Sequence, residues 1–122
     1  MNDEIDLELF TISIIRLNNA FQKLEDFEDE AIEMIKQSAN DLENLYDELM
    51  HGLFQEEINM SEYHHFFQYI NLTLPRYIDD LNSIEDERLN DCINEVIFVL
   101  NKINNLANSF LSKTGRIIWM KH

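Results

Sequence analysis

The chain has 122 residues with a formal net charge of −15, 45% hydrophobic residues, two glycines, one proline and one cysteine. So few turn-formers exclude the frequent tight turns of a sandwich or barrel, and a lone cysteine excludes an intrachain disulfide. The apolar content is enough for a packed core and argues against disorder, so one all-α domain spanning residues 1–122 is expected.

The first helix is predicted over about residues 4–24. Leu7, Phe10, Ile14, Leu17, Phe21 and Leu24 recur at alternating steps of three and four, which places them on one face, and Asp3 suits the N-cap. The run "EDFEDE" at 25–30 is the first seam. Asp26 is the expected cap of a second helix over about 27–51, with Ala31, Ile35, Leu42, Leu45 and Leu49 facing the core. Gly52 is expected to end that helix in a left-handed conformation, with Leu53 and Phe54 folding back over it.

Asn59 as N-cap, Glu62 three residues on, and an Ile58–Tyr63 staple start a third helix over about 60–82. Tyr63, Phe66, Phe67, Ile70, Leu74, Tyr77, Ile78 and Leu81 hold one apolar face across Pro75, which predicts a kink near 71–75 and no chain reversal. Ser83 with Asp86 resembles a capping box for a fourth helix over about 84–113, whose core face is Leu89, Ile93, Val96, Leu100, Ile103, Ala107 and Phe110. Gly115 is expected to stop it. The sum is an antiparallel four-helix bundle with a kinked third helix and a short C-terminal tail, 115–122, "GRIIWMKH", that is apolar and basic.

Charge is uneven. All 24 carboxylates and five of the nine Lys and Arg lie in residues 1–95; the other four bases lie in 96–122 with no acid. Phosphates would be repelled by the acidic part, so direct nucleic-acid binding is not expected and a basic protein surface is the favoured partner. No apolar run approaches the roughly 18 residues of a membrane span, and the first residues are acidic where a secretory leader would be basic. A cytoplasmic setting without membrane insertion is therefore expected.

Candidate chemistry is sparse. Glu48-x-x-His51 and Glu62-x-x-His65 have the spacing that di-iron bundles use, yet at about 100° per residue both histidines fall on the water side. The acidic runs "EDFEDE" and "IEDERLND" resemble the Mg²⁺-binding helices of all-α nucleotide pyrophosphohydrolases, but their place at predicted helix N-termini is explained by the helix dipole. Arg116 and His122, five residues apart, look like the Arg-x(4–6)-His signature of HEPN ribonucleases, themselves helical bundles; the likeness spans seven residues and no role is carried over from it. Cys92 reads as a small buried hydrophobe. No catalytic, cofactor-binding or metal-ligating residue is assigned.

The expectation is a non-enzymatic acidic module that binds another protein, of the inhibitor or immunity type, bacterial or phage-encoded, masking a basic and nucleic-acid-binding surface. Glu30, Glu33, Asp41 and Asp47 on the second helix, with Asp79, Asp80, Glu85 and Glu87 at the third corner, would attract it. Asn94, Asn101 and Asn105, in an uncharged stripe with Asn90 and Asn108, are candidate contacts, and so are Arg116 and Trp119 of the tail, docked in cis or on another chain. A second copy is an admissible partner. A secretion or flagellar export chaperone is the alternative, and a HEPN-like nuclease or metal-dependent hydrolase the third reading.

Overall fold

The computed structural model describes residues 7–53 and 60–120, and the side chains of residues 8–53 and 61–112. Four helices form: α1 (Leu7–Lys23), α2 (Glu28–Leu53), α3 (Met60–Asn82) and α4 (Asn90–Met120). Among the described residues there is no strand. The apolar stripes read from the sequence are the core. Phe10 and Leu17 of α1, Ala31, Ile35, Leu42, Leu45 and Leu49 of α2, Phe67, Ile70 and Leu74 of α3, and Leu89, Val96, Leu100, Ile103 and Ala107 of α4 are all buried in one cluster.

Cross-helix contacts give the directions. Lys23 reaches Glu30, the Ser38 hydroxyl donates to the Ser13 carbonyl and Arg16 pairs with Asp41, so α1 and α2 are antiparallel. Tyr63, near the start of α3, packs on Phe110, far along α4, and only residues 83–89 join the end of α3 to the start of α4, so the two are antiparallel. Arg88 reaches Glu28 and Lys102 reaches Glu43, so α2 and α4 run side by side in the same direction. Phe10 meets Phe66 edge-on and Tyr77 donates to Asn18, so α1 runs along α3. Directions alternate along the chain, while the spatial order is α1, α2, α4, α3.

The α1–α2 crossing is close because its residues are small. Ser13 and Ser38 are fully buried, and Ala20 and Ala31, seven residues from each in opposite directions, fall at the next contact of that register and are fully buried too. Where α3 passes Pro75 the helix is unbroken. The missing N–H leaves one carbonyl without its ladder partner, on the exposed Asn71, where water can serve it.

Three expected boundaries are corrected. Gly52 does not cap α2 in a left-handed conformation: the helix runs to Leu53 and no described glycine has positive φ. Its smallness is used differently, since a Cβ there would overlap the Tyr63 hydroxyl and sit 3.2 Å from Cζ. Ser83 does not start α4 at 84. Its Oγ donates to the Asp80 carbonyl at 2.6 Å and closes α3, while α4 begins at Asn90. Ile84 and Leu89 both pack on the core. In a helix, five residues would point them about 140° apart, so an irregular 84–86 is what lets both reach inward. Gly115 does not stop α4, which continues to Met120. One glycine costs only about 1 kcal/mol in a helix, and no other breaker lies between Arg116 and Met120. Part of the expected tail is thus helix. The expected Asp3 and Asn59 caps and the Ile58 staple lie outside the described residues.

Candidate functional site

The α1–α2 corner is a tight one. After Lys23 the Asp26 and Phe27 amides both donate to the Lys23 carbonyl, and the Phe27 carbonyl accepts from Ala31 N at 2.9 Å. Phe27, not the expected Asp26, therefore occupies the capping position of α2. Four residues ahead of Ala31, it stands beyond the buried end of the α2 stripe and remains 59% exposed. Around it the chain supplies Glu25, Asp26, Glu28, Asp29 and Glu30, all exposed. Acids in the first turn of α2 are favoured by the positive helix end.

The α3–α4 corner lies beside it. Asp86 accepts from the Arg88 amide and takes the Arg88 guanidinium in a fork, with Nε at 3.0 Å and a second nitrogen at 2.7 Å. That fork holds the Asp86 carboxyl below its ordinary range and the guanidinium above its own. The third guanidinium nitrogen reaches Glu28 of α2 at 3.5 Å. One arginine thus bridges two corners that stand 60 residues apart in the chain. Asp79, Asp80, Glu85 and Glu87 are exposed on the same end of the bundle. Lys23 is engaged by Glu30 and Arg88 by Asp86 and Glu28, so among the described residues most of the carboxylates at this pole form no ion pair.

Of the residues singled out in the sequence, the structure gathers Glu30, Asp79, Asp80, Glu85 and Glu87 at this pole, with Glu33 one turn further along α2. Asp41 and Asp47 stand about 16 and 26 Å from Glu30 along the α2 axis. Asp41 is half-buried and paired with Arg16, a link that holds α1 to α2. Asn94, Asn101 and Asn105 are exposed on α4. Lys102, turned to α2, reaches Glu43 and stacks over the Tyr46 and Phe98 rings. Arg116 and Trp119 lie on the last turns of α4, with side chains outside the described residues; His122 itself lies outside the described residues.

Sequence reasoning missed Phe27 and Arg88. Phe27 carried a signal: it is an aromatic inside an acidic run, four residues ahead of Ala31 and so in line with the α2 stripe, yet it falls at the cap where the helix has not begun. Arg88 carried none, because its reach to Glu28 depends on how the corners meet.

His51 and His65 are exposed, as their angles implied, and His64 is half-buried. Among the described residues no three His, Cys, Asp or Glu side chains gather closely enough to hold a metal. Cys92 is buried, donates to the Leu89 carbonyl at 3.3 Å and has its thiol pKa pushed up by burial, which removes nucleophilic character. Among the described residues no helix is long and apolar enough to cross a membrane.

Comparison of the chain with protein-family models, with curated proteins and with solved structures finds no match.

Proposed function

We propose that the protein is a non-enzymatic binding module of the inhibitor or immunity type, acting in a bacterial cytoplasm or an infected host's, which masks a basic, nucleic-acid-binding surface of another protein. The observation that carries this reading is the convergence of two acidic corners at one end of the bundle, bridged by Arg88 and centred on the exposed Phe27. Carboxylates fixed on rigid helix ends need little reorganisation to meet cations, and their summed field speeds encounter with a basic partner. An exposed aromatic within that field supplies the apolar anchor that charge alone lacks, since binding energy concentrates in a few buried aromatic or arginine contacts. Masking a basic surface in this way would compete with nucleic acid for the same Lys and Arg side chains.

The test is capture of the partner from source lysate at low salt, followed by kinetics on the purified pair. Association should slow by about tenfold or more between low and physiological salt. Phe27→Ala should speed dissociation by about tenfold or more. Charge reversal at Asp29 and Glu87 together should abolish capture. Capture that survives this reversal and is indifferent to salt would overturn the proposal.

A further inference from the structure

From the acidic pole, which it touches at Asp79, towards the other end of the bundle, a different surface runs along α1 and α3. Residues 9–24 and 63–78 contain no carboxylate, in a chain with 24 of them. Large apolar side chains stand in water there: Leu72 is 80% exposed, and Ile15 and Tyr69 are each 52% exposed. Tyr69 is steadied from behind by the edge of the Phe10 ring. Among the described residues Arg76 forms no ion pair, whereas Arg16 and Arg88 do. The outward stripe of α3 reads His65, Gln68 and Tyr69, Leu72, Pro75 and Arg76, Asp79, and every one of these is exposed.

We propose that this stripe of α3 is the interface between two copies of the chain, packed antiparallel across a two-fold axis at Leu72. Two bodies of charge −15 repel wherever their carboxylates meet, so a carboxylate-poor face is where they can approach. A two-fold contact needs a patch complementary to itself. The stripe has that property in one direction only. His65 and Asp79 lie equally far from Leu72, as do Gln68 and Arg76, and Tyr69 and Pro75. An antiparallel pairing lays imidazole against carboxylate, amide against guanidinium, and phenol ring against proline, with the two Leu72 side chains meeting on the axis. A parallel pairing would set like charges against each other. Ile15 of α1, at the height of Leu72 in the α1–α3 register, flanks the contact. The apolar centre supplies the drive and the polar pairs fix the direction.

Sedimentation equilibrium of the full chain over a wide concentration range is the experiment. One helix stripe buries less than a standard interface, so a dissociation constant on the order of 10–100 μM is expected. Leu72→Glu should leave a monomer at every concentration with unchanged helical circular dichroism, because that side chain is 80% exposed in its own bundle. Arg76→Glu should weaken the dimer about tenfold, and adding Gln68→Lys to the same chain should restore it to within about threefold, since the two positions meet only between copies. A wild-type chain that is monomeric at about 1 mM overturns the proposal. So does a dimer indifferent to Leu72→Glu, or a Gln68→Lys substitution that fails to restore.

Discussion

Gly52→Ala separates two accounts of why a glycine ends the second helix. In the structure its backbone is helical and the space beside it is filled by the Tyr63 hydroxyl. Tyr63 is buried, and its ring is fixed by Phe67 at 5.9 Å and Phe110 at 6.3 Å between centroids. Phe67 is itself fully buried, so the phenol cannot swing aside without disturbing the core. Overpacking of this kind costs about 1–3 kcal/mol. Ala gains up to about 1 kcal/mol over Gly in a helix, somewhat less in a last turn. The net expectation is a loss of about 1–2 kcal/mol, which in a chain of this size lowers Tm by roughly 3–8 °C. Thermal and urea unfolding by circular dichroism would measure it.

A double-mutant cycle with Tyr63→Phe carries the weight. Removing the hydroxyl removes the overlap, leaving Cζ at 3.2 Å from the new methyl, a gap that a few tenths of an ångström would relieve. In the Tyr63→Phe background, Gly52→Ala should become neutral or stabilising, with a coupling of at least about 1 kcal/mol. If the glycine were instead needed for a left-handed turn, Ala would cost the same in both backgrounds. Equal costs would refute the steric account.

Ser13→Ala should be neutral or stabilising by up to about 1 kcal/mol, because among the described residues the buried Ser13 Oγ has no hydrogen-bond partner, whereas Ser38→Ala loses a bond worth about 1 kcal/mol; paired unfolding curves would decide. Ser13→Leu should cost several kcal/mol by forcing α1 from α2 at their closest crossing, and a stable variant would show that the crossing is looser than its buried serines imply. Burial, aided by the nearby Asp80 charge, pushes the Tyr77 phenol up to about 12. An unfolded chain releases that proton near pH 10, so the folded form holds it longer and stability should fall as pH rises from about 10 towards 12. Tyr77→Phe should flatten the slope in that window, read by denaturant titration at several pH values. Phe27→Ala should leave Tm within about 1 °C, its ring being mostly in water, while weakening partner binding; a large Tm loss would mean that the ring packs on its own chain.

Much of the fold was legible because burial has a period. Alternating steps of three and four from Phe10 to Leu24 and from Leu89 to Phe110, and steps of four, seven, three and four from Ala31 to Leu49, name these helices and their inner faces without reference to anything distant. Ends were less legible, because a cap is a local choice that packing can overrule. Ser83 bonds backwards to Asp80 since Ile84 and Leu89 both seek the core. Gly52 serves a neighbour 11 residues on, and Gly115 interrupts nothing.

What the sequence determined by itself was composition acting locally: helices, core faces and the total charge. The place of that charge was decided by tertiary structure. Because α2 and α4 run parallel, both acidic corners fall at one end and Arg88 can reach Glu28. With each corner at the opposite end, the same residues would make two weaker fields. Electrostatic potential sums over distance in space, and the chain order of 25–30 and 84–91 gives no hint of that distance.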